Sequence, residues 1–125
     1  MQKLNDPLTH EIIAAAIAVS KYWGNGLLEN VYKKSIAHEL RKRGFDVATE
    51  VPIPGVYDTL QFDVAFRADL IVNRAVIVES KAVSAIHAVH KAQVLTYMQL
   101  SAISKGLLIN FHAHPFADGI VRLSL

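Results

Sequence analysis

The sequence predicts an α/β domain, a three-layer α/β/α sandwich with a mixed central β-sheet. Three features predict it. Two stretches of helical periodicity precede the first extended segments, and a third separates two groups of extended segments. The stretch from Arg67 to Val83, RADLIVNRAVIVESKAV, holds two runs of mostly β-branched residues that are apolar on both faces. Strands of that kind need cover on both sides, and helices placed before and between strands supply it.

The elements follow in order. Residues 7–22 read as a helix, with Asp6 or Thr9 as N-cap, Pro7 tolerated in the first turn, and Leu8, Ile12, Ala15 or Ala16, Val19 and Tyr22 or Trp23 as its apolar stripe. Gly24-Asn25-Gly26 breaks it. A second helix is expected from Leu27 to Arg43, burying Leu28, Val31, Tyr32, Ile36 and Leu40 and ending at Gly44. Its cationic last turn, Arg41-Lys42-Arg43, complements the helix dipole on a solvated face, with a phosphate-contacting patch as the alternative reading, and the same two readings apply to Lys33 and Lys34.

Phe45 to Ile53 alternates as a half-buried strand, with Pro52 and Pro54 marking an edge or an exit. Gly55 to Thr59 forms a turn, and Leu60 to Phe66 alternates again as a strand that runs toward Asp69 through a bend or bulge. Leu70–Val72 and Ala75–Val78 form a β-hairpin about the polar pair Asn73 and Arg74. Ser84 or Ala85 starts a helix to Ser101 with Ile86, Val89, Gln93, Tyr97 and Leu100 along one face. Gly106 to Phe111 reads as a buried strand, and Gly119 to Leu123 as a last one after the loop His112-Ala113-His114-Pro115.

Within the hairpin, Asp69, Glu79 and Lys81 are charges written into otherwise buried positions, which requires a reason. Glu79 and Lys81, two apart in a strand, share a face with Cα atoms roughly 6.6 Å apart. A two-residue turn at Asn73 and Arg74 would pair Asp69 with Val78 and turn Glu79 away. A three-residue loop that includes Ala75, with Asn73 or Arg74 left-handed, pairs Asp69 with Glu79. The longer loop is the expectation. Two facing carboxylates repel, and a divalent metal resolves the repulsion.

Composition bounds the alternatives. At 125 residues and 52% hydrophobic, the chain reads as one domain, 1–125, with a real core. It contains no cysteine, which excludes disulfides and thiolate zinc sites and is compatible with a reducing cytoplasm. The N-terminal MQKLNDPLTH lacks the apolar segment of a leader, and the run Ile12–Val19 is too short for a membrane span. A net charge of +2 permits an anionic polymer as partner without demanding one.

Asp69, followed by Glu79-Ser80-Lys81, resembles the D…ExK signature of the PD-(D/E)XK nuclease superfamily. Gly26-Leu27-Leu28-Glu29-Asn30-Val31-Tyr32 matches the pattern of the GxxExxY protein family, and Gln93 to Tyr97 resembles the QxxxY motif of RecB-like and lambda-type exonucleases. The resemblance runs over roughly residues 9–123, with Trp23-Gly24-Asn25-Gly26 departing from the expected Leu-Gly-Pro-Gly. It implies a restriction-endonuclease-like core and metal-dependent hydrolysis of phosphodiester bonds, in DNA above all.

On that reading Asp69, Glu79 and the Ser80 carbonyl would bind Mg²⁺ or Mn²⁺, and Lys81 would orient or deprotonate the attacking water. Gln93 and Tyr97, one helical turn apart, would reach the cleft. Glu29 would contact the metal, a metal-bound water or Lys81. Two rivals stand beside it: a non-catalytic nucleic-acid-binding or assembly module on the same fold, and a zinc hydrolase built on His87 and His90. His112 and His114 have a second zinc-compatible spacing, and Asn110 is expected to satisfy neighbouring backbone at a strand end.

Overall fold

The computed structural model describes residues 6–125. Residues 1–5, part of the N-terminal stretch MQKLNDPLTH and of the domain drawn over 1–125, lie outside the described residues. Helix α1 (Pro7–Trp23) and helix α2 (Glu29–Lys42) are followed by strands β1 (Val47–Tyr57), β2 (Leu60–Val72) and β3 (Val76–Lys81). Helix α3 (Ala88–Ser101), strand β4 (Lys105–Asn110), a 3₁₀ turn and strand β5 (Ile120–Ser124) complete the chain. The five strands lie in sequence order in one sheet; β3 and β4 are parallel and the other neighbours antiparallel. The sheet is therefore mixed, with α3 as the crossover that parallel pairing requires.

Two cores flank it. Leu70, Val72, Val76, Val78, Leu107 and Ile109 face α1 and α2, while Ala68, Ile71, Ile77 and Leu108 face Val94 and Met98 of α3. The α/β/α sandwich expected from the sequence is the observed architecture.

Local chemistry explains the helix ends. Asp6 caps α1, its carboxylate accepting from the Thr9 amide at 2.7 Å. Gly44 has φ +94° and follows α2 in a Schellman arrangement, with Phe45 N–H bonded to the Leu40 carbonyl and Gly44 N–H to the Arg41 carbonyl. Two expected burials, that of Tyr22 or Trp23 and that of Leu28, fail at the helix margins. Tyr22 and Trp23 lie beyond the last core turn of α1, and Leu28 caps α2 rather than entering it, so all three are exposed.

The β region departs further from the expectation. β1 continues past Ile53 to Tyr57, and the segments expected as Leu60–Phe66 and Leu70–Val72 form one strand of 13 residues. The register shift between Ile53 and Gly55, opposite Phe66 and Phe62, is the bend or bulge expected on the way to Asp69. β1 is an edge strand, where a missing proline N–H is tolerated. The β2–β3 loop has the expected length: Val72 pairs with Val76 and Leu70 with Val78, so Asn73, Arg74 and Ala75 form the loop. Both Asn73 (φ 52°) and Arg74 (φ 56°) are left-handed.

α3 begins at Ala88, later than Ser84 or Ala85, and its inward residues are Val94 and Met98. The expected stripe through Val89, Gln93 and Leu100 is exposed. Apolar residues surround this helix, so its period does not define one face. Among the described residues, no helix is long and apolar enough to cross a membrane.

Candidate metal and nucleic-acid site

The β2–β3 ladder ends at Leu70 and Val78. One residue further along, side chains take over the pairing. Asp69 N–H donates to Glu79 Oε2 at 2.6 Å, and Ser80 N–H donates to Asp69 Oδ2 at 3.0 Å. Each carboxylate thus occupies the place of a backbone acceptor where the strands part. Glu79 is 5% exposed and the Asp69 side chain 16%.

Burial of both acids disfavours their charged forms. It pushes the Glu79 carboxyl up to about 8; the Asp69 charge adds to the rise, and the Asp69 amide and Lys81 oppose it. Asp69 is also raised by burial, against the Ser80 amide and Lys33. Burial raises Glu29 at the start of α2, with Asp69 adding to the rise and Lys81 and Lys33 opposing it. Tyr97 is raised by burial and then by the Glu79 and Asp69 charges. Glu29 on α2, Asp69 on β2, Glu79 and Lys81 on β3 and Tyr97 on α3 thus feel one another's charges at the end of the β2–β3 pair away from its loop.

Gln93 behaves differently. It is exposed, whereas Tyr97 is half-buried and stacks on Phe66 with ring centroids 3.8 Å apart. The Ser80 hydroxyl is buried without a hydrogen-bond partner among the described residues.

Tyr32, the last residue of the Gly26–Tyr32 segment, has a structural task. Its hydroxyl donates to the Gly24 carbonyl at 2.6 Å and accepts from the Leu27 amide at 3.0 Å, and its ring stacks on Phe111 at 4.7 Å. It fixes the turn from which Glu29 enters α2. His112 Nε2 donates to the Leu27 carbonyl and supports the same turn. Asn110 bonds both the amide and the carbonyl of Val83, as expected of a residue satisfying nearby backbone. His87 and His90 cap α3, with the His87 amide donating to His90 Nδ1 at 3.0 Å. That contact gives the pair a structural task in place of the one the zinc rival required.

Lys33 is the site residue that the sequence reading placed on a solvated face. Its ammonium lies 2.8 Å from Glu50 Oε2 and 3.8 Å from Asp69 Oδ1. Burial lowers its affinity for a proton, but the bond to Glu50 and the charge of Asp69 outweigh this and hold it above its ordinary value. The available signal was its i+4 spacing from Glu29, which puts both on one side of α2.

The donor set suits a hard divalent cation. Asp69 and Glu79 each use one oxygen on an amide and retain the other, and a nearby cation would favour the charged form of both. Among the described residues, no three His, Cys, Asp or Glu side chains gather closely enough to hold a metal ion. Two carboxylates completed by water and phosphate oxygens are the usual manner of holding Mg²⁺.

Comparison with known proteins gives one match. A family model described as the PD-(D/E)XK nuclease superfamily matches residues 6–123. No curated protein and no solved structure matches the chain.

Proposed function

This chain belongs to the PD-(D/E)XK nuclease superfamily, and from that premise we propose that it is a Mg²⁺- or Mn²⁺-dependent nuclease hydrolysing phosphodiester bonds in DNA. Within the superfamily, the Gly26–Tyr32 pattern favours the GxxExxY family. We read residues 1–125 as one nuclease domain, and the absence of cysteine is compatible with the cytoplasm, where the proposal places it.

The supporting observation is the Asp69–Glu79 pair, a half-buried and a buried carboxylate bonded to each other's strands and both held above their ordinary range. Asp69 and Glu79, with the Ser80 carbonyl, would hold the ion. Bound there, a divalent ion supplies Lewis-acid polarisation of the phosphoryl group and acidifies water. Lys81 orients the attacking water and stabilises charge developing on the phosphoryl oxygens. Glu29 acts from the start of α2, on the ion, its water or Lys81. Tyr97 closes the α3 side of the cleft, and the exposed Gln93 contacts the nucleic-acid backbone one turn away.

The test is incubation of the purified protein with linear, circular and single-stranded DNA in Mg²⁺, in Mn²⁺ and in EDTA. Cleavage in either metal and none in EDTA is expected; intact DNA under every condition overturns the reading.

A further inference from the structure

Beside the carboxylate pair, α2 and the edge strand β1 enclose a groove of about 250 Å³ lined by Asn30, Lys33, Lys34, Arg41, Thr49 and Glu50. Lys33 belongs both to this groove and to the site, because the same ammonium contacts Glu50 and approaches Asp69. Arg41 has a structural task as well, donating to the Val47 carbonyl at 2.9 Å. Lys34 is exposed on the same wall.

Glu50 is the unusual member. Thr49 pairs with Leu70 and Val51 with Ala68, so Glu50 stands opposite Asp69 in the middle of a strand pair. Yet its φ is 50°, the left-handed region that a non-glycine residue in a strand avoids. Strained residues of this kind cluster at functional sites. Here the carboxylate reaches the Lys33 ammonium, while its own side chain is 53% exposed.

We propose that the α2–β1 groove carries the nucleic-acid backbone away from the cleavage site, with Lys33 holding the phosphate beside the scissile one and Glu50 holding the Lys33 ammonium until that phosphate arrives. This rests on the nuclease reading above. The groove is rich in donors, as a phosphate track requires, and its cations come from one helix that also carries Glu29. Glu50 is the exception, a carboxylate that a phosphate must displace from Lys33. Lys33 is accordingly a positioning residue, and removing Glu50 and removing Lys33 have opposite effects on binding.

The experiment measures binding of a short fluorescein-labelled DNA duplex in EDTA, where metal-dependent cleavage is silent, across a salt series. Wild type, Lys33→Gln, Lys34→Gln and Glu50→Gln are compared, with thermal melts confirming that each is folded. Lys33→Gln lowers the slope of log affinity against log salt by about 0.9, the loss of one phosphate contact. Glu50→Gln tightens binding by roughly two- to fivefold at low salt, the range of one exposed ion pair. Lys34→Gln, on the same wall, also reduces the slope. An unchanged slope in Lys33→Gln, or unchanged or weaker binding in Glu50→Gln, overturns the groove assignment while leaving a DNA-cleaving wild type a nuclease. A wild type that neither binds nor cuts DNA overturns both.

Discussion

Asp69 and Glu79 are each bonded to the other's strand: the Asp69 amide donates to the Glu79 carboxylate, and the Asp69 carboxylate accepts from the amide that follows Glu79. The hairpin thus ends in acids instead of a ladder, and both acids are disfavoured as anions. The Glu79 carboxyl moves from 4.5 to about 8 on folding. A folded value above the unfolded one means that the native state binds the extra proton, so stability falls as pH rises through that window.

The first prediction follows from that sign. In EDTA, the melting temperature falls as pH rises from about 4.5 to about 8, by an amount on the order of a few kcal/mol of stability. Asp69 is raised in the same direction and adds to the fall. Glu79→Gln flattens the profile, and Mg²⁺ opposes it by favouring the charged carboxylates. Thermal melts over this range with and without Mg²⁺ check it; a midpoint rising with pH in EDTA contradicts it.

Tyr32→Phe deletes a hydroxyl with two partners in a fully buried position. It leaves the Gly24 carbonyl and the Leu27 amide unpaired, which costs about 1–3 kcal/mol. Denaturant titration is the readout. A loss below about 0.5 kcal/mol, the range of ordinary surface changes, would remove Tyr32 from its role in the Gly24–Leu27 turn.

Glu29→Gln retains the shape of the side chain and removes its charge. The helix-dipole contribution of an acid in the first turn is under about 1 kcal/mol, so stability changes little. Mg²⁺ affinity by calorimetry, or cleavage across a Mg²⁺ titration, drops markedly. Normal behaviour in both returns Glu29 to a helix-dipole role.

Gln93→Ala alters an exposed side chain and shifts stability by less than about 0.5 kcal/mol. Tyr97→Phe preserves the stack on Phe66 and removes only the hydroxyl whose ionisation the Glu79 and Asp69 charges oppose. Both lower cleavage more than they lower the melting temperature. Equal losses of stability and activity would make them packing residues.

The legible parts of this molecule were those in which one local rule had no competitor. The odd-numbered loop at Asn73–Ala75 follows from the need to put Asp69 opposite Glu79, and the register agrees. The caps at Asp6 and Gly44 follow from side-chain and backbone chemistry that acts over a few residues. The face of α3 was not legible, because Val89 and Leu100 are as apolar as the buried Val94 and Met98 and only tertiary packing separates them. β2 was expected to reach Asp69 through a bend or bulge, and the backbone does continue through Arg67 and Asp69, with its irregularity between Phe62 and Phe66. The contacts of Lys33 with Glu50 and Asp69 were not legible, because a lysine on an outer helical turn has no sequence mark of the acid it will meet. Glu50 supplies that acid from a strand whose left-handed residue no spacing rule announces.

The central claim is that Asp69 and Glu79 hold the ion and Lys81 acts on the water. One paired measurement tests it: Mg²⁺ binding by calorimetry and cleavage of a labelled DNA by the wild type, Asp69→Ala, Glu79→Ala and Lys81→Ala, each verified as folded. The account predicts that the two acidic variants lose both binding and cleavage, and that Lys81→Ala binds Mg²⁺ and loses cleavage. Wild-type turnover in Mg²⁺ by any of the three would contradict it.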